Sequence, residues 1–183
     1  MIAMKRCFVI LVALVVGFTT TSYAANLRTK FSSNDVASQQ MTADQMFYKA
    51  QCFMLGQDGH PQDNSKAVEW FYKAAKSGHV EAQNVLAYML AEGVGVKKDE
   101  ADAIEWWTEA AENGHTRAQV QLGTIYDKGL YGVTRSEVDA EKWYRMAEKN
   151  GDAMARKWVI KKEKEKEKEK EKEEEEKEQN KKQ

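Results

Sequence analysis

Cysteine is scarce in this chain: Cys7 and Cys52 are the only two among 183 residues. Cys7 lies in a short apolar segment expected to be removed, which leaves Cys52 without a partner and excludes an intrachain disulfide. Beside Phe53 and Met54, Cys52 reads as a small buried apolar residue, with a reactive or interchain thiol as the alternative. Long apolar runs are missing too. The stretch Cys7 to Phe18 holds 12 residues, short of the ~20 that a membrane-spanning helix needs. Nor does one sign of charge dominate. Taking Lys5 and Arg6 away from 28 basic residues leaves 26 against 29 acidic ones, a net charge of -3 for the chain without its first 24 residues. A surface so close to neutral argues against nucleic acid or anionic lipid as the partner.

Recognisable catalytic patterns are equally missing. There is no Gly-x-Ser-x-Gly, no His-Glu-x-x-His and no Cys/His pairing. Gly93-Val-Gly95 starts like a dinucleotide-binding fingerprint, but Lys98 stands where the third glycine belongs and a helical pattern, not a strand, precedes it. His79 and His115 hold equivalent places after glycines, and His60 lies on a separate loop, so no metal-ligand spacing arises. The expectation is no catalytic residue, no metal and no cofactor.

What the chain has instead is repetition. The block Ala67-Val-Glu-Trp70-Phe-Tyr-Lys-Ala74-Ala75-Lys-Ser-Gly78-His79-Val80 returns 36 residues later as Ala103-Ile-Glu-Trp106-Trp-Thr-Glu-Ala110-Ala111-Glu-Asn-Gly114-His115-Thr116. It returns again, 37 residues on, as Ala140-Glu-Lys-Trp143-Tyr-Arg-Met146-Ala147-Glu-Lys-Asn-Gly151-Asp152-Ala153. A fixed period of this size marks an array of identical supersecondary units. Such arrays build one continuous face and enclose no catalytic cavity, so they are mostly built to bind.

Each unit reads as two amphipathic helices. Ala82, Leu86, Met89 and Leu90 fall at i, i+4, i+7 and i+8, and Ala118, Leu122, Ile125 and Tyr126 repeat the stripe. A second stripe runs through Ala67, Trp70, Phe71 and Ala74, then Ala103, Trp106, Trp107 and Ala110, then Ala140, Trp143, Tyr144 and Ala147. Trp106, with Trp70 and Trp143, is expected in the core, and Trp107, with Phe71 and Tyr144, between units. Asp63, Asp99 and Ser136 stand where N-caps belong, and Gly78, Gly114 and Gly151 where a helix ends in a left-handed residue. One helix pair cannot bury both of its stripes, so at least three units must stack. The third unit carries one extra residue, because Gly129 to Ser136 is seven steps where Gly93 to Asp99 is six.

The ends differ from the middle. Lys5-Arg6, the apolar run and Ser22-Tyr-Ala24 read as a secretory signal peptide over 1-24, cleaved after Ala24, with an uncleaved anchor as the rival. Residues 25-42 read as a polar linker and 43-160 as the array, with units about 43-79, 80-115 and 116-152 and a capping helix from 153. The tail 161-183 holds ten lysines and ten glutamates among 23 residues and no apolar side chain. From Lys162 to Lys172 like charges recur four residues apart, so a frayed helix at best is expected, serving as a solvating spacer or as an interaction tail.

The pattern Ala-x3-Leu-(Ala/Gly)-x2-(Leu/Tyr)-x2-Gly, followed by Gly-Val, an acidic cap, Ala-x2-Trp-x3-Ala-Ala and a closing Gly, resembles the Sel-one-like repeat family, a cousin of the tetratricopeptide repeat. The resemblance covers roughly residues 43 to 157, and the first unit's leading helix is degenerate, with Met46, Ala50 and Met54 in the places of Ala82, Leu86 and Leu90. It implies an all-α fold: a right-handed α/α superhelical solenoid of about three helix-pair repeats with a C-terminal capping helix. It also implies an adaptor that holds a protein or peptide partner for envelope regulation, signalling or immunity against a toxin, and the signal peptide adds the expectation of a periplasmic or secreted location without stable membrane insertion once it is cleaved. In solenoids of this type the first helices line the concave face, so Gln83, Asn84 and Tyr88 in one unit and Gln119, Thr124 and Asp127 in the next are expected to line the partner-binding groove, with Tyr88 as aromatic anchor. The alternative is an enzyme acting on β-lactams or the cell wall, as in the cysteine-rich branch of the family. The absence of paired cysteines separates this chain from that branch.

Overall fold

The computed structural model describes residues 41–181. The signal peptide, Cys7 and nearly all of the polar linker lie outside the described residues, as do the last two residues of the tail. Seven helices follow one another: α1 (Ala43–Leu55), α2 (Asn64–Lys76), α3 (Val80–Glu92), α4 (Glu100–Glu112), α5 (Thr116–Lys128), α6 (Glu137–Lys149) and α7 (Ala153–Lys181). No strand occurs among the described residues. Each helix packs on its neighbours in sequence, most closely within the pairs α1·α2, α3·α4 and α5·α6.

The caps repeat as the helices do. Asp63, Asp99 and Ser136 accept the backbone N–H of Lys66, Asp102 and Asp139, and so begin α2, α4 and α6. The same three residues donate their own N–H to the carbonyls of Phe53, Leu90 and Tyr126 at 2.8 to 2.9 Å, which closes the loop inside each unit. The second helices end alike. Gly78, Gly114 and Gly151 take φ near +85°, and the residues after them, His79, His115 and Asp152, donate to Ala74, Ala110 and Ala147 at 2.9 to 3.0 Å. That is the pairing of C″ with C3 in a Schellman motif. His79 and His115 then act as N-caps of α3 and α5, their Nδ1 atoms accepting from Ala82 and Ala118 at 3.1 and 3.2 Å. Asp152 does the same for α7 at 2.8 Å. The expectation that these histidines hold a repeat position, not a site, has this physical content.

Packing corrects one expectation. Trp107 is 2% exposed, Phe71 0% and Tyr144 5%, whereas Trp70 and Trp106 are only half-buried. In the first two units the second aromatic of the pair, not the first, therefore fills the core, whereas in the third both Trp143, as expected, and Tyr144 are buried. Trp106 meets Tyr72 of the preceding unit edge to face at 5.9 Å, and Trp70 lies under the ammonium groups of Lys49 and Lys73 at 4.1 and 4.2 Å. Alanines 67, 74, 75, 103, 110 and 111 have no exposed area and let the helices approach around those rings. The core runs unbroken from Ala50 to Trp143, with a second cluster of Ala140, Tyr144, Ala147, Ala155 and Val159 against the last helix.

The tail is the second correction. α7 is one helix of 29 residues that runs through the Lys/Glu stretch. Three things offset the i, i+4 repulsion. Lysine and glutamate are good helix formers, and no glycine, proline or β-branched residue interrupts 161-181. The costly first turn is supplied by Asp152 and by the burial of Ala155 and Val159, after which each further residue adds a hydrogen bond. The array also reaches out to the tail: Glu137 binds Lys162 at 3.1 Å, Arg145 binds Glu163 at 3.0 Å and Glu141 binds Lys166.

Candidate partner-binding face

Each inner first helix, α3 and α5, lies between two second helices, its own and the preceding unit's. This sandwich leaves a narrow sector of each first helix uncovered, narrower than a single amphipathic stripe suggests. In α3 the uncovered sector contains Tyr88, 58% exposed, with half-buried Asn84 one turn before it. In α5 the same columns hold Val120 and Thr124, both half-buried, followed by half-buried Asp127.

Gln83 and Gln119 do not belong to that surface. Their exposures are 0% and 1%. The Gln83 amide donates to Glu109 Oε1 at 2.7 Å and to the carbonyl of Ala75 at 3.4 Å, and its oxygen accepts from Asn113 at 3.5 Å. Gln119 donates to the carbonyl of Ala111 at 2.9 Å and accepts from Asn150 at 2.9 Å. Each glutamine thus ties its helix to the preceding unit's second helix and to the end of its own. The helical wheel puts these polar residues toward the groove, but the structure uses them as buried cross-ties, and a buried amide is tolerable only when its hydrogen bonds are met. No buried side-chain polar atom among the described residues lacks a partner.

Thr124 is likewise engaged. Its hydroxyl donates to the carbonyl of Val120 at 2.9 Å and accepts from the Tyr144 hydroxyl at 3.0 Å, while the Tyr144 ring lies against Gly123, where an added Cβ would come within 2.9 Å of it. Of the six expected groove residues, Asn84, Tyr88 and Asp127 remain available, and only Tyr88 is broadly open.

Two features of this face were not anticipated. Tyr131, in the loop that carries the third unit's extra residue, adopts φ +52°, the left-handed region that bulky residues avoid. Its ring lies 5.6 Å from that of Trp107 and its hydroxyl donates to Glu92 at 3.0 Å, so it straps the third unit's loop onto the second unit. Burial and that hydrogen bond hold the Tyr131 phenol above its ordinary pKa. In the first unit, the Tyr48 hydroxyl and the Cys52 thiol both point to the Asp58 carboxylate, and that carboxylate pushes the Tyr48 phenol up to about 12. Cys52 is free and buried, as expected. No group of three metal-ligating side chains occurs among the described residues, and no described helix is long and apolar enough to cross a membrane.

The histidine N-caps of α3 and α5 also reach back to the first turn of the first helix before them. His115 Nε2 lies 2.7 Å from Glu81 in the first turn of α3, and His79 Nε2 lies 3.6 Å from Asp44 in the first turn of α1. With Nδ1 accepting from the backbone, a neutral His115 ring carries its proton on Nε2 and donates it in a hydrogen bond to Glu81, whereas His79 and Asp44 stand beyond hydrogen-bond distance. Phe47 stacks on His79 at 4.2 Å and holds that ring beside Asp44.

The profile of the Sel1 repeat matches residues 46–79, 80–115 and 116–152, together more than half of the chain. The chain belongs to the Sel1 repeat family. Among solved structures, a Sel1 repeat protein from Oxalobacter formigenes is 35% identical, with a TM-score of 0.59, covering 65% of this chain and 88% of that one. A protective antigen present in uropathogenic Escherichia coli, displaying an SLR fold, is 38% identical with a TM-score of 0.57; the match covers 62% of this chain but 24% of that protein. No curated protein matches the chain. Sel1 repeat proteins are generally protein-interaction scaffolds, and their relatives are typically non-catalytic.

Proposed function

We propose that this Sel1 repeat chain is an exported adaptor that captures a protein or peptide on the open face of its first helices, in an envelope-regulating or immunity-type role. The observation that carries the reading is Tyr88. A tyrosine with more than half of its surface in water, beside a Gln119 and a Thr124 that are spent on internal bonds, is a large amphipathic contact that packing does not require. Asn84 and Asp127 flank it with hydrogen-bonding groups.

A photo-reactive amino acid at position 88 tests this, with the same group at Glu105 on the outer side of α4 as reference. A discrete adduct from position 88 and none from position 105 is expected; the reverse pattern moves the site to the second-helix side. Export rests on Lys5-Arg6, the 12-residue apolar run and the Ser-x-Ala site. N-terminal sequencing of protein from a periplasmic extract is expected to begin at Ala25, and a chain retaining Met1 in the membrane fraction would defeat the export reading.

A further inference from the structure

We propose that the partner-binding face continues from α3 and α5 onto α7 as a cationic ridge, and that the segment it receives is an acidic peptide carrying apolar anchor residues; this rests on the first-helix face being the partner site. α7 behaves as the first helix of a fourth unit. Ala155 and Val159, 0% and 2% exposed, stand 37 residues after the buried Ala118 and Leu122, and Trp158 closes on Tyr144 with ring centroids 4.6 Å apart. Lys162 takes the position of Ile125, its side chain largely covered and bound to Glu137.

The same register places Lys157 in the column of Asn84 and Val120, Lys161 in the column of Tyr88 and Thr124, and Lys164 in the column of Asp127. Lys168 follows one turn later. At 100° per residue these four lysines fall within an arc of about 60°. All four are exposed, and Lys157, Lys164 and Lys168 have no ion-pair partner among the described residues, while Lys161 shares Glu165 with Lys162. The opposite side of α7 differs, since Lys162 and Lys166 are spent on Glu137 and Glu141. Met154 and Ile160, 63% and 43% exposed, border the ridge and give it apolar edges.

Charge complementarity selects the occupant. Like charges four residues apart destabilise a helix, and an incoming row of carboxylates relieves the repulsion along the ridge. An extended bilayer or a nucleic-acid duplex fits poorly, because a broad anionic surface would meet Glu165, Glu167 and Glu171, all beside the lysines on α7. A peptide narrow enough to follow the ridge meets the four lysines and the apolar edges, with Glu165 at its margin, and in the repeat register its continuation falls in the column of Thr124 and Tyr88.

The test uses the full chain and a short fluorescein-labelled peptide in which glutamates alternate with leucines, beside versions with glutamine or lysine in place of glutamate, followed by fluorescence anisotropy at low and physiological salt. The acidic peptide is expected to bind, to weaken with salt and to exceed the glutamine version in affinity at least about tenfold. The double variant Lys157→Glu/Lys164→Glu is expected to raise its Kd at least about tenfold with an unchanged circular dichroism melt. Equal binding by that variant overturns the ridge. Should the glutamine or lysine peptide bind as well as the acidic one and lose affinity only in Tyr88→Ala, the face stands and the ridge chemistry falls. Binding of none of the three removes the face and the ridge together. If phosphatidylglycerol vesicles bind in a way that the double variant abolishes while the acidic peptide does not bind, the ridge serves a lipid surface and the proposal is overturned.

Discussion

Trp106 and Trp107 are adjacent in sequence and opposite in packing, one half-buried beside Tyr72 and one enclosed between units at 2% exposure. Trp107→Ala is therefore expected to cost about 3 to 5 kcal/mol in urea unfolding, as large buried aromatics do, and Trp106→Ala markedly less. The reverse order would return Trp106 to the core. Gln119 gives a second residue-level case. Its removal takes away two hydrogen bonds, to the Ala111 carbonyl and from the Asn150 amide, although the carbonyl keeps the Gly114 N–H, so Gln119→Ala is expected to cost about 1 to 3 kcal/mol. Tyr88→Ala, on the open face, is expected to stay within about 0.5 kcal/mol of wild type. The amphipathic stripe marks both glutamines as polar, but it does not register that a second helix covers them.

At the scale of helices and their junctions, glycines with similar φ carry unequal weight. Gly95 and Gly114 both sit at positive φ, +71° and +87°. An added Cβ at Gly114 meets open space, whereas at Gly95 it falls 2.4 Å from the backbone carbon of Asn64, where the loop crosses the start of α2 and accepts a hydrogen bond from Ser65 at 2.9 Å. Gly114→Ala is expected to cost about 1 kcal/mol, the strain of a left-handed alanine, and Gly95→Ala severalfold more; equal melting temperatures would place the loop elsewhere. The seam between α6 and α7 responds to acid. Lys166 and Arg145 donate to Glu141 and hold its carboxyl below the ordinary 4.5, and Lys162 does the same for Glu165. A carboxyl lowered in the folded state adds stability above its unfolded value, and that contribution is lost as pH falls through the folded one. Trp158 fluorescence and amide exchange in α7 are accordingly expected to report loosening below pH 4.5 before the array melts, and Glu141→Gln is expected to weaken the transition. An unchanged α7 down to array melting would mean that burial of Val159, not the ion pairs, holds the seam.

For the array as a whole, the end of the chain divides into a part that folds with the units and a part that stands apart from them. Residues from Glu167 to Lys181 are exposed throughout, so a chain ended at Lys166 is expected to melt within a degree or two of the full one, since surface changes of this kind are worth little. Ending it at Gly151 removes Ala155, Trp158 and Val159 from Ala140, Tyr144 and Ala147. At about 1.5 to 3 kcal/mol per large apolar side chain, the third unit is expected to open, read as lost amide protection in α6. Protection retained in α6 would show that three units need no cap.

The sequence by itself determined the period, the helix pairs, the caps at Asp63, Asp99 and Ser136 and the left-handed glycines, because each is a local matter of turn chemistry and 3.6-residue periodicity repeated three times. Only the tertiary structure decided which tryptophan is enclosed, that Gln83 and Gln119 are cross-ties, that Tyr131 is a strap, and that a charged tail becomes a helix. Those outcomes depend on the second and third neighbour of each helix. A helical wheel describes one helix against one partner, whereas in a stack every inner helix touches two, and the side chains on the shared boundary take their roles from the helix that the local pattern does not contain.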